Sequence, residues 1–259
     1  MLGVGVHAVD LAGACTAIES AVENGIRGYV CLTGVHGVME AQRDACFRDI
    51  LAHALMVAPD GMPTVWVGHR QGHARMQRVF GPDLMLELCR RSVARNTTHF
   101  LYGGKPGVAG QLAGNLQARF PGIRIVGVYT PPFRPLLPEE AEALRTTIGK
   151  LSPDFFWVGL STPKQERFMA EYAGRLPCGV MIGVGAAFDI HSGHLQDAPD
   201  WVKRSGLQWA HRLYQEPRRL WKRYLINNST FMVNVAMQLA GLRQYDLACT
   251  PPSENHGNA

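Results

Sequence analysis

The sequence has none of the short motifs that mark zinc, disulfide and phosphate-loop sites. Its six cysteines, at positions 15, 31, 46, 89, 178 and 249, include no C-x-x-C pair, which in 259 residues indicates neither a zinc site nor a disulfide framework. No P-loop and no dinucleotide-binding G-x-G-x-x-G turn occurs. The first ten residues show no basic stretch followed by an apolar run, so the sequence favours a cytoplasmic protein with buried thiols.

A carboxylate pair that could hold a metal on a diphosphate is also missing. The ten aspartates include no D-x-D pair, and Asp197 and Asp200 stand three residues apart beside prolines and a tryptophan. A divalent metal clamp is therefore not indicated, and the sequence predicts neither a metal site nor a cofactor. Charge on a departing phosphate would instead be balanced by helix dipoles and cationic side chains.

Positive charge is concentrated in one short segment of an otherwise ordinary globular composition. Hydrophobic residues make up 46% and charged residues 18% of the chain, which fits one large domain or one domain with an appendage. The net charge is +5, but residues 202–224 hold seven basic residues and one acidic residue, so the rest of the chain sums to −1. This segment predicts a local anionic partner.

Residues 29–190 alternate short apolar runs with longer helical patterns. The predicted strands are Tyr29–Thr33, Leu55–Ala58, His99–Tyr102, Ile123–Val128, Phe155–Gly159 and Gly179–Val184. The predicted helices cover 37–53, 62–71, 83–95, 106–119, 138–150 and 163–174. This alternation predicts an α/β fold with a Rossmann-like, mostly parallel sheet and helices on both faces. Ligands of such sheets bind at the carboxyl ends of the strands.

The composition changes after about residue 195, where aromatic residues and arginines replace the strand–helix alternation. Residues 225–242 are apolar but carry three asparagines and a glutamine. They fall short of the ~20 apolar residues of a transmembrane helix, so an amphipathic or core-packing helix is predicted. We divide the chain into an α/β domain (1–195), a basic, aromatic, helical appendage (196–245) and a flexible tail (246–259).

Two polar residues stand at the ends of the first two predicted strands. Thr33 precedes a glycine, which suits a substrate loop, although the residues alone favour an ordinary strand-to-helix turn. His36, just beyond, is typical of a structural histidine. Asp60 follows an apolar run and precedes Gly61. Partial desolvation would raise its pKa towards that of a general base, whereas the alternative is a helix N-cap. The spacing does not separate these two interpretations of Asp60.

A glycine-rich loop follows the third predicted strand. Glycines let a backbone approach a phosphate, and the following helix N-terminus supplies N–H groups and a positive dipole. A tight turn explains the same residues, so both interpretations stay open. The candidate nucleotide-binding residues of this loop are Gly103, Gly104, Lys105 and Gly107.

Polar residues also follow the last two predicted strands. Gln165 lies in the run Thr162–Glu166 and would hold a sugar, although a capping box explains this run without any ligand. Gly185 and Asp189 follow the sixth strand, where an acid would accept a hydrogen bond from a ribose or a base. An ordinary turn is the alternative for this last pair.

Taken together, these stretches resemble the WecG/TagA/CpsF family of glycosyltransferases. The matching motifs run in order through nearly the whole chain: Pro59–Gly61, Arg78–Leu84, Tyr102–Gly107, Phe120–Gly122, Pro163–Glu166, Gly183–Asp189, Ala198–Trp201, Trp209–Arg212 and Glu216–Arg219. No single motif is specific, but nine in the same order are. The sequence departs from the family at Val35, where an asparagine is common, so the identity of the donor or acceptor sugar is open.

The resemblance implies an inverting, metal-independent transfer from a UDP-sugar to a saccharide linked to polyprenyl diphosphate, for a bacterial surface polysaccharide. It implies that Asp60 is the base and that Thr33, Arg78 and Gln165 line the pocket. The family's C-terminal segment is a membrane-targeting appendage, which implies a peripheral protein on the cytoplasmic face of an anionic inner membrane. The arginines expected to meet the lipid diphosphate are Arg212, Arg218, Arg219 and Arg223.

Two other functions fit parts of the sequence. A nucleotide-dependent oxidoreductase would use the same kind of sheet but lacks the G-x-G-x-x-G turn, and fold alone does not decide function. The basic, aromatic segment would suit RNA or a single strand, but the rest of the chain has no basic path to continue such a groove. We therefore predict no nucleic-acid partner. Whether the chain forms a homo-oligomer is not decided by the sequence.

Overall fold

A computed structural model describes residues 1–247, except for the side chains of Asp200, Arg204, Arg219 and Arg223. Residues 248–259, which make up most of the predicted tail and include Cys249, lie outside the described residues.

Within this range, six parallel strands form one sheet. They are Gly28–Thr33 (β1), Met56–Pro59 (β2), Thr98–Gly103 (β3), Arg124–Tyr129 (β4), Phe155–Gly159 (β5) and Val180–Gly183 (β6). Their order across the sheet is β2-β1-β6-β5-β3-β4, and each neighbouring pair is parallel. The predicted α/β class and the predicted parallel sheet are confirmed.

The helices follow the predicted pattern with three differences. They are Leu11–Glu23 (α1), Val35–Arg43 (α2), Ala45–Ala52 (α3), Met62–Arg70 (α4), Gly81–Arg95 (α5), Val108–Arg119 (α6), Pro138–Leu151 (α7), Lys164–Tyr172 (α8), Ala187–His191 (α9), Asp200–Arg204 (α10), Gln208–Gln215 (α11) and Pro217–Leu239 (α12). Helices α1 and α9 were not predicted. The predicted helix 37–53 is two helices, because Asp44 leaves the helical conformation and its carboxylate caps α3 by accepting from the Phe47 N–H.

Two hydrophobic cores lie on opposite faces of the sheet. Along β1, Val30 and Leu32 join the core that α1, α5 and α6 cover. Tyr29 and Cys31 join the second core, which is covered by α2, α3, α7 and α8. This alternation is the period of two that a strand imposes, and it confirms helices on both faces.

The register of the sheet brings three strand ends together. Thr33 at the end of β1 pairs with Pro59 at the end of β2, and Cys31 pairs with Gly183 at the end of β6. The loops that follow β1, β2 and β6 therefore lie side by side at the carboxyl edge of the sheet.

The C-terminal helices pack on the α/β body. Helix α12 lies against α2, and its Phe231 and Val235 are buried in the second core. The Leu2 N–H also donates to Gln238 Oε1 at 3.0 Å. Among the described residues, no helix is both long enough and apolar enough to cross a bilayer. The domain boundary at 195 stays a prediction.

Candidate active site

A cleft with two lobes opens at this carboxyl edge. The first lobe lies between the α/β body and the C-terminal helices, and its walls include Gly34, His36, Met62, Trp209, Tyr224 and Asn228. The second lobe lies over the end of β6, and its walls include Pro82, Ser161, Gln165, Val184 and Gly185. Both lobes share Leu32, Asp60, Phe80, Thr162 and Arg212. Asp60 therefore stands where the lobes join.

The backbone holds Asp60 firmly at this junction. Its N–H donates to the Thr33 carbonyl at 3.1 Å, which continues the β1–β2 pairing one residue past the strand. Gly61, not Asp60, is the N-cap of α4, so the N-cap interpretation is wrong. The Gly81 N–H at the start of α5 instead lies near the carboxylate and favours its ionised form. Its Oδ1 atom is buried and has no partner among the described residues.

The surroundings of Asp60 tune its pKa to the neutral range. Burial raises the pKa of this carboxyl to about 7. The cations Arg78 and Arg212 and the Gly81 N–H act in the opposite direction, because they stabilise the ionised form. A carboxylate with this pKa and an unpartnered oxygen can take a proton from a hydroxyl group at neutral pH.

Two arginines supply positive charge beside Asp60. Arg78 donates from Nη1 to Gln208 Oε1 at 2.7 Å, and its guanidinium lies 4.6 Å from the centre of the Phe80 ring. Arg212 lies 3.3 Å from Glu216 Oε2 through Nη2, while its buried Nε has no partner within the described part of the chain. These cations can meet negative charge that develops on a ligand in the cleft.

Gln165 offers a hydrogen-bond acceptor to the second lobe. Its Nε2 donates to Glu166 Oε1 at 3.1 Å, and the Thr162 hydroxyl donates to the same oxygen at 2.8 Å. Burial raises the pKa of Glu166. The Gln165 Oε1 atom is buried near Gly185 with no partner in the described structure. Since an unpaired buried carbonyl is costly, a ligand hydroxyl or amide that donates to it would be stabilised there.

Among the described side chains, three other predicted site residues do not line either lobe. Thr33 is buried, with its methyl group against Gly37. Asp189 is half-buried on α9, and Arg218 is exposed at the start of α12. The side chains of Arg219 and Arg223 are outside the described ones. The structure therefore brings together Asp60, Arg78, Gln165, Gly185 and Arg212.

The predicted nucleotide loop lies farther along the same edge of the sheet. Gly103 ends β3, and the N–H of the next residue, Gly104, donates to the Gly159 carbonyl at 3.1 Å. Lys105 and Gly107 are exposed. The loop does not line either lobe, as far as the described residues define them. Its role in nucleotide binding stays a prediction.

Several polar residues that line the first lobe were not predicted from the sequence. Gln208, Asn227 and Asn228 line it, but glutamine and asparagine in a helix carry no motif that would mark them. Val35 also lines the first lobe, so the departure from the family pattern falls within the cleft. No group of three or more histidine, cysteine, aspartate or glutamate side chains suited to a metal occurs in the described residues.

Comparison with known proteins gives a family and two similar enzymes. The model of the glycosyl transferase WecG/TagA/CpsF family matches residues 1–245. An N-acetylglucosaminyldiphosphoundecaprenol N-acetyl-beta-D-mannosaminyltransferase of Bacillus subtilis is 31% identical over 185 residues, which are 71% of this chain and 70% of the relative. The protein of the same name from Bacillus spizizenii is 31% identical over 186 residues, which are 72% of this chain and 70% of that relative.

Proposed function

The chain belongs to the WecG/TagA/CpsF family of glycosyltransferases, and on that basis we propose that it moves an N-acetylmannosamine-type or glucose-type sugar from a UDP-sugar to a saccharide linked to polyprenyl diphosphate. The names of the similar enzymes support such an acceptor. The reaction would serve the synthesis of a bacterial surface polysaccharide. Membership in this family also sets aside the oxidoreductase interpretation.

The observation that carries the proposal is the position of Asp60 at the junction of the lobes. A hydroxyl oxygen of the acceptor in the first lobe attacks the anomeric carbon of the donor sugar. Its proton passes to Asp60 Oδ1, which is buried and has no partner among the described residues. The bond from the anomeric carbon to the UDP oxygen breaks as the new bond forms, and UDP leaves with the electron pair. Attack opposite the leaving group inverts the configuration at that carbon.

The negative charge on the departing UDP is balanced by protein groups in this proposal. Arg212 is shared by both lobes, and its buried Nε can donate to a phosphate oxygen. Gly185, with φ of +48°, lines the second lobe and lets the backbone come close to a ligand. Since the sequence lacks a D-x-D pair, we propose a transfer that needs no divalent metal.

The UDP would extend from the second lobe towards Gly103–Gly107. Helix α6 begins directly after Gly107 and is 12 residues long, so its N-terminal dipole favours an anion at this point. Lys105, which is exposed, adds a cation. This arrangement leaves the first lobe to the acceptor saccharide.

The C-terminal helices would hold the enzyme on the cytoplasmic face of an anionic membrane. Helix α12 exposes a row of apolar side chains, Trp221, Leu225, Ile226, Met232, Val233 and Leu239. Arg218 and Lys222 are exposed at its start. An amphipathic helix with cations beside aromatic and aliphatic side chains is suited to the headgroup region of a bilayer.

A donor screen tests the proposed reaction. The purified protein is incubated with N-acetylglucosaminyl-diphosphate-polyprenol and either UDP-N-acetylmannosamine or UDP-glucose, with and without EDTA. We expect one donor to give a glycolipid whose new bond has the inverted anomeric configuration by NMR, at the same rate in EDTA. Absence of product with either donor would count against the donor assignment. Retention of the anomeric configuration would contradict the proposed mechanism. Loss of activity in EDTA would contradict metal independence.

A further inference from the structure

An exposed phenylalanine stands on the loop that follows β4, at the same edge of the sheet as the cleft. Phe133 is 97% exposed, the largest exposed fraction of any large hydrophobic side chain among the described residues. Its loop, residues 130–137, joins β4 to α7. Because β4 pairs in parallel with β3, this loop lies beside the predicted nucleotide loop Gly103–Gly107. The Thr130 hydroxyl donates to the Gly103 carbonyl at 3.4 Å.

The backbone of this loop is braced on both sides of Phe133. Three of the residues 130–137 are prolines, whose φ angles are fixed. Arg134 donates to both carboxylate oxygens of Glu140, at 2.7 and 2.8 Å. The Leu137 N–H donates to the same carboxylate at 2.8 Å. The loop therefore holds the Phe133 ring away from both hydrophobic cores, to which it does not belong.

A lysine from the loop after β5 lies over one face of the ring. Lys164 Nζ is 4.1 Å from the centre of the Phe133 ring, which is within the range of a cation–π contact. Lys164 begins α8 and directly follows the loop whose Ser161 and Thr162 line the second lobe. Since the ring is almost fully exposed, its opposite face is open to a flat ligand.

The order of the loops along the sheet edge matches the parts of a nucleotide-sugar. The strand order β6-β5-β3-β4 places the loop after β6, with Gly185 in the second lobe, at one end of this series. The loop of Phe133 lies at the other end, and Gly103–Gly107 lies between them. A donor whose sugar lies beside Asp60 and whose diphosphate lies near the glycine loop would therefore bring its base to Phe133.

We propose that the ring of Phe133 is the binding platform for the uracil base of the donor nucleotide. The inference rests on the proposed function, which supplies the UDP. Aromatic side chains stack on the flat face of a nucleobase, and Lys164 is a positioning residue because it contacts the ring and not the base. The ring belongs to the loops at the carboxyl ends of the strands and not to the apolar row of α12, which favours a nucleotide over a bilayer.

Stacking is tested by isothermal calorimetry with UDP and 5,6-dihydro-UDP. The two ligands share the ribose, the diphosphate and the polar groups of the base, but the reduced base is puckered and has no aromatic face. We expect the unaltered protein to bind UDP about tenfold more tightly than dihydro-UDP, as for one base–aromatic stack. Phe133→Ala should lower the affinity for UDP by a similar factor and abolish the difference between the ligands. A difference that persists in folded Phe133→Ala would overturn the proposal, as would equal affinities in the unaltered protein.

Matched variants separate the aromatic face from the apolar surface. Phe133→Tyr keeps an aromatic ring and should keep the preference for UDP, whereas Phe133→Leu keeps apolar surface and should lose most of that preference. Tyr214→Ala removes another highly exposed aromatic side chain, on α11, and should leave both affinities unchanged. Thermal unfolding of each variant checks that the fold is retained.

A membrane contact of Phe133 would give a different result. We expect Phe133→Ala to sediment with vesicles of phosphatidylglycerol and phosphatidylcholine as the unaltered protein does. If Phe133→Ala lost vesicle binding and kept the preference for UDP over dihydro-UDP, the ring would contact lipid and the proposal would be wrong.

The outcomes separate this inference from the proposed function. If the unaltered protein transfers sugar from a UDP-sugar while its preference for UDP does not depend on Phe133, the role of the ring is refuted and the proposed function survives. If the preference depends on Phe133 but no acceptor is glycosylated, the proposed reaction fails and the site for the base stands. If the unaltered protein does not bind UDP, both are wrong.

Discussion

Asp60 combines a functional advantage with a cost in stability. Burial raises the pKa of its carboxyl from 3.8 to about 7, so the folded protein holds this proton to a higher pH than the unfolded chain does. The stability that Asp60 contributes is therefore present below pH 3.8 and is lost as the pH rises towards 7. Above pH 7 the Asp60 carboxylate is ionised in the folded protein, and the cost of burying this charge lowers the free energy of unfolding.

Asp60→Asn should therefore stabilise the protein at high pH. We expect the free energy of unfolding of the variant to exceed that of the unaltered protein by roughly 2–4 kcal/mol at pH 8. This difference should shrink as the pH falls towards 4. Chemical denaturation at several pH values measures this. Asp49→Asn, at an exposed aspartate of α3, is the control and should show no such trend. A constant difference at all pH values would contradict the raised pKa.

Arg78 should set the pH dependence of the reaction through Asp60. Its positive charge lowers the pKa of Asp60, so Arg78→Gln should raise that pKa and move the acid limb of kcat/KM to higher pH. Arg145→Gln, at an exposed arginine of α7, should leave the limb in place. The profile is recorded at saturating donor. A limb that does not move, or moves to lower pH, would refute this coupling.

Site residues at strand ends could be predicted from the sequence. Site residues on the C-terminal helices were harder to predict. The sequence placed Asp60 at a rim because an apolar run precedes it and a glycine follows it. Arg78 entered only through the family resemblance, whereas Gln165 was already a candidate because its run follows a predicted strand. Gln208 and Asn227 could not be found, because their roles depend on contacts with Arg78 and Arg43 that lie far away in the chain.

Helix α12 has two faces whose roles can be separated. Phe231 and Val235 are buried in the second core, so truncation of the helix would expose that core and would not isolate an effect on membranes. Leu225 is 64% exposed and Phe231 is 1% exposed. Single substitutions on each face are therefore the informative experiment.

Leu225→Glu should weaken binding to anionic liposomes and leave the unfolding temperature nearly unchanged, because an exposed apolar contact is replaced by a charge that the leaflet repels. Phe231→Ala should cost about 3–5 kcal/mol of stability through the cavity that it leaves. Vesicle sedimentation and thermal unfolding measure the two effects. Equal liposome binding by Leu225→Glu and the unaltered protein would show that this face does not contact the membrane.

The predicted nucleotide loop can be tested at its exposed lysine. Lys105→Gln should weaken UDP binding several-fold if the diphosphate lies beside α6, since a charged hydrogen bond is lost. Lys150→Gln, at an exposed lysine of α7, is the matched control. Isothermal calorimetry with UDP measures both. If Lys105→Gln bound UDP as tightly as the unaltered protein, the nucleotide would not lie beside Gly103–Gly107.

Periodicity predicted the strands well because each is a short, mostly apolar run, and because all of them except the edge strand β4 are buried on both faces. The boundary at Asp44 was missed, because the helical pattern continues through it and only the local capping contact with Phe47 ends one helix and begins the next. Helix α1 was missed although Asp10 caps it by accepting from the Gly13 N–H at 2.7 Å. Its buried face is formed by small residues, Ala14 and Cys15, with Ile18, which give a weak pattern.

Two parts of the chain together form the candidate active-site cleft. The sheet supplies Asp60 and the second lobe, and the C-terminal helices supply Trp209, Arg212 and Asn228 to the first. Arg78 bonds to Gln208 on α11, and both residues line the lobe that also contains the proposed base, so the two parts meet at the wall of the site. The sequence predicted both parts but not their contact, since long-range side-chain contacts leave no local pattern.

The most direct test of the account is the rate of glycosyl transfer by Asp60→Asn, measured together with its affinity for UDP. The role of Asp60 as general base predicts that the rate with a lipid-diphosphate acceptor falls roughly 10²–10⁴-fold, while UDP binds as tightly as before. Transfer at close to the unaltered rate would contradict it.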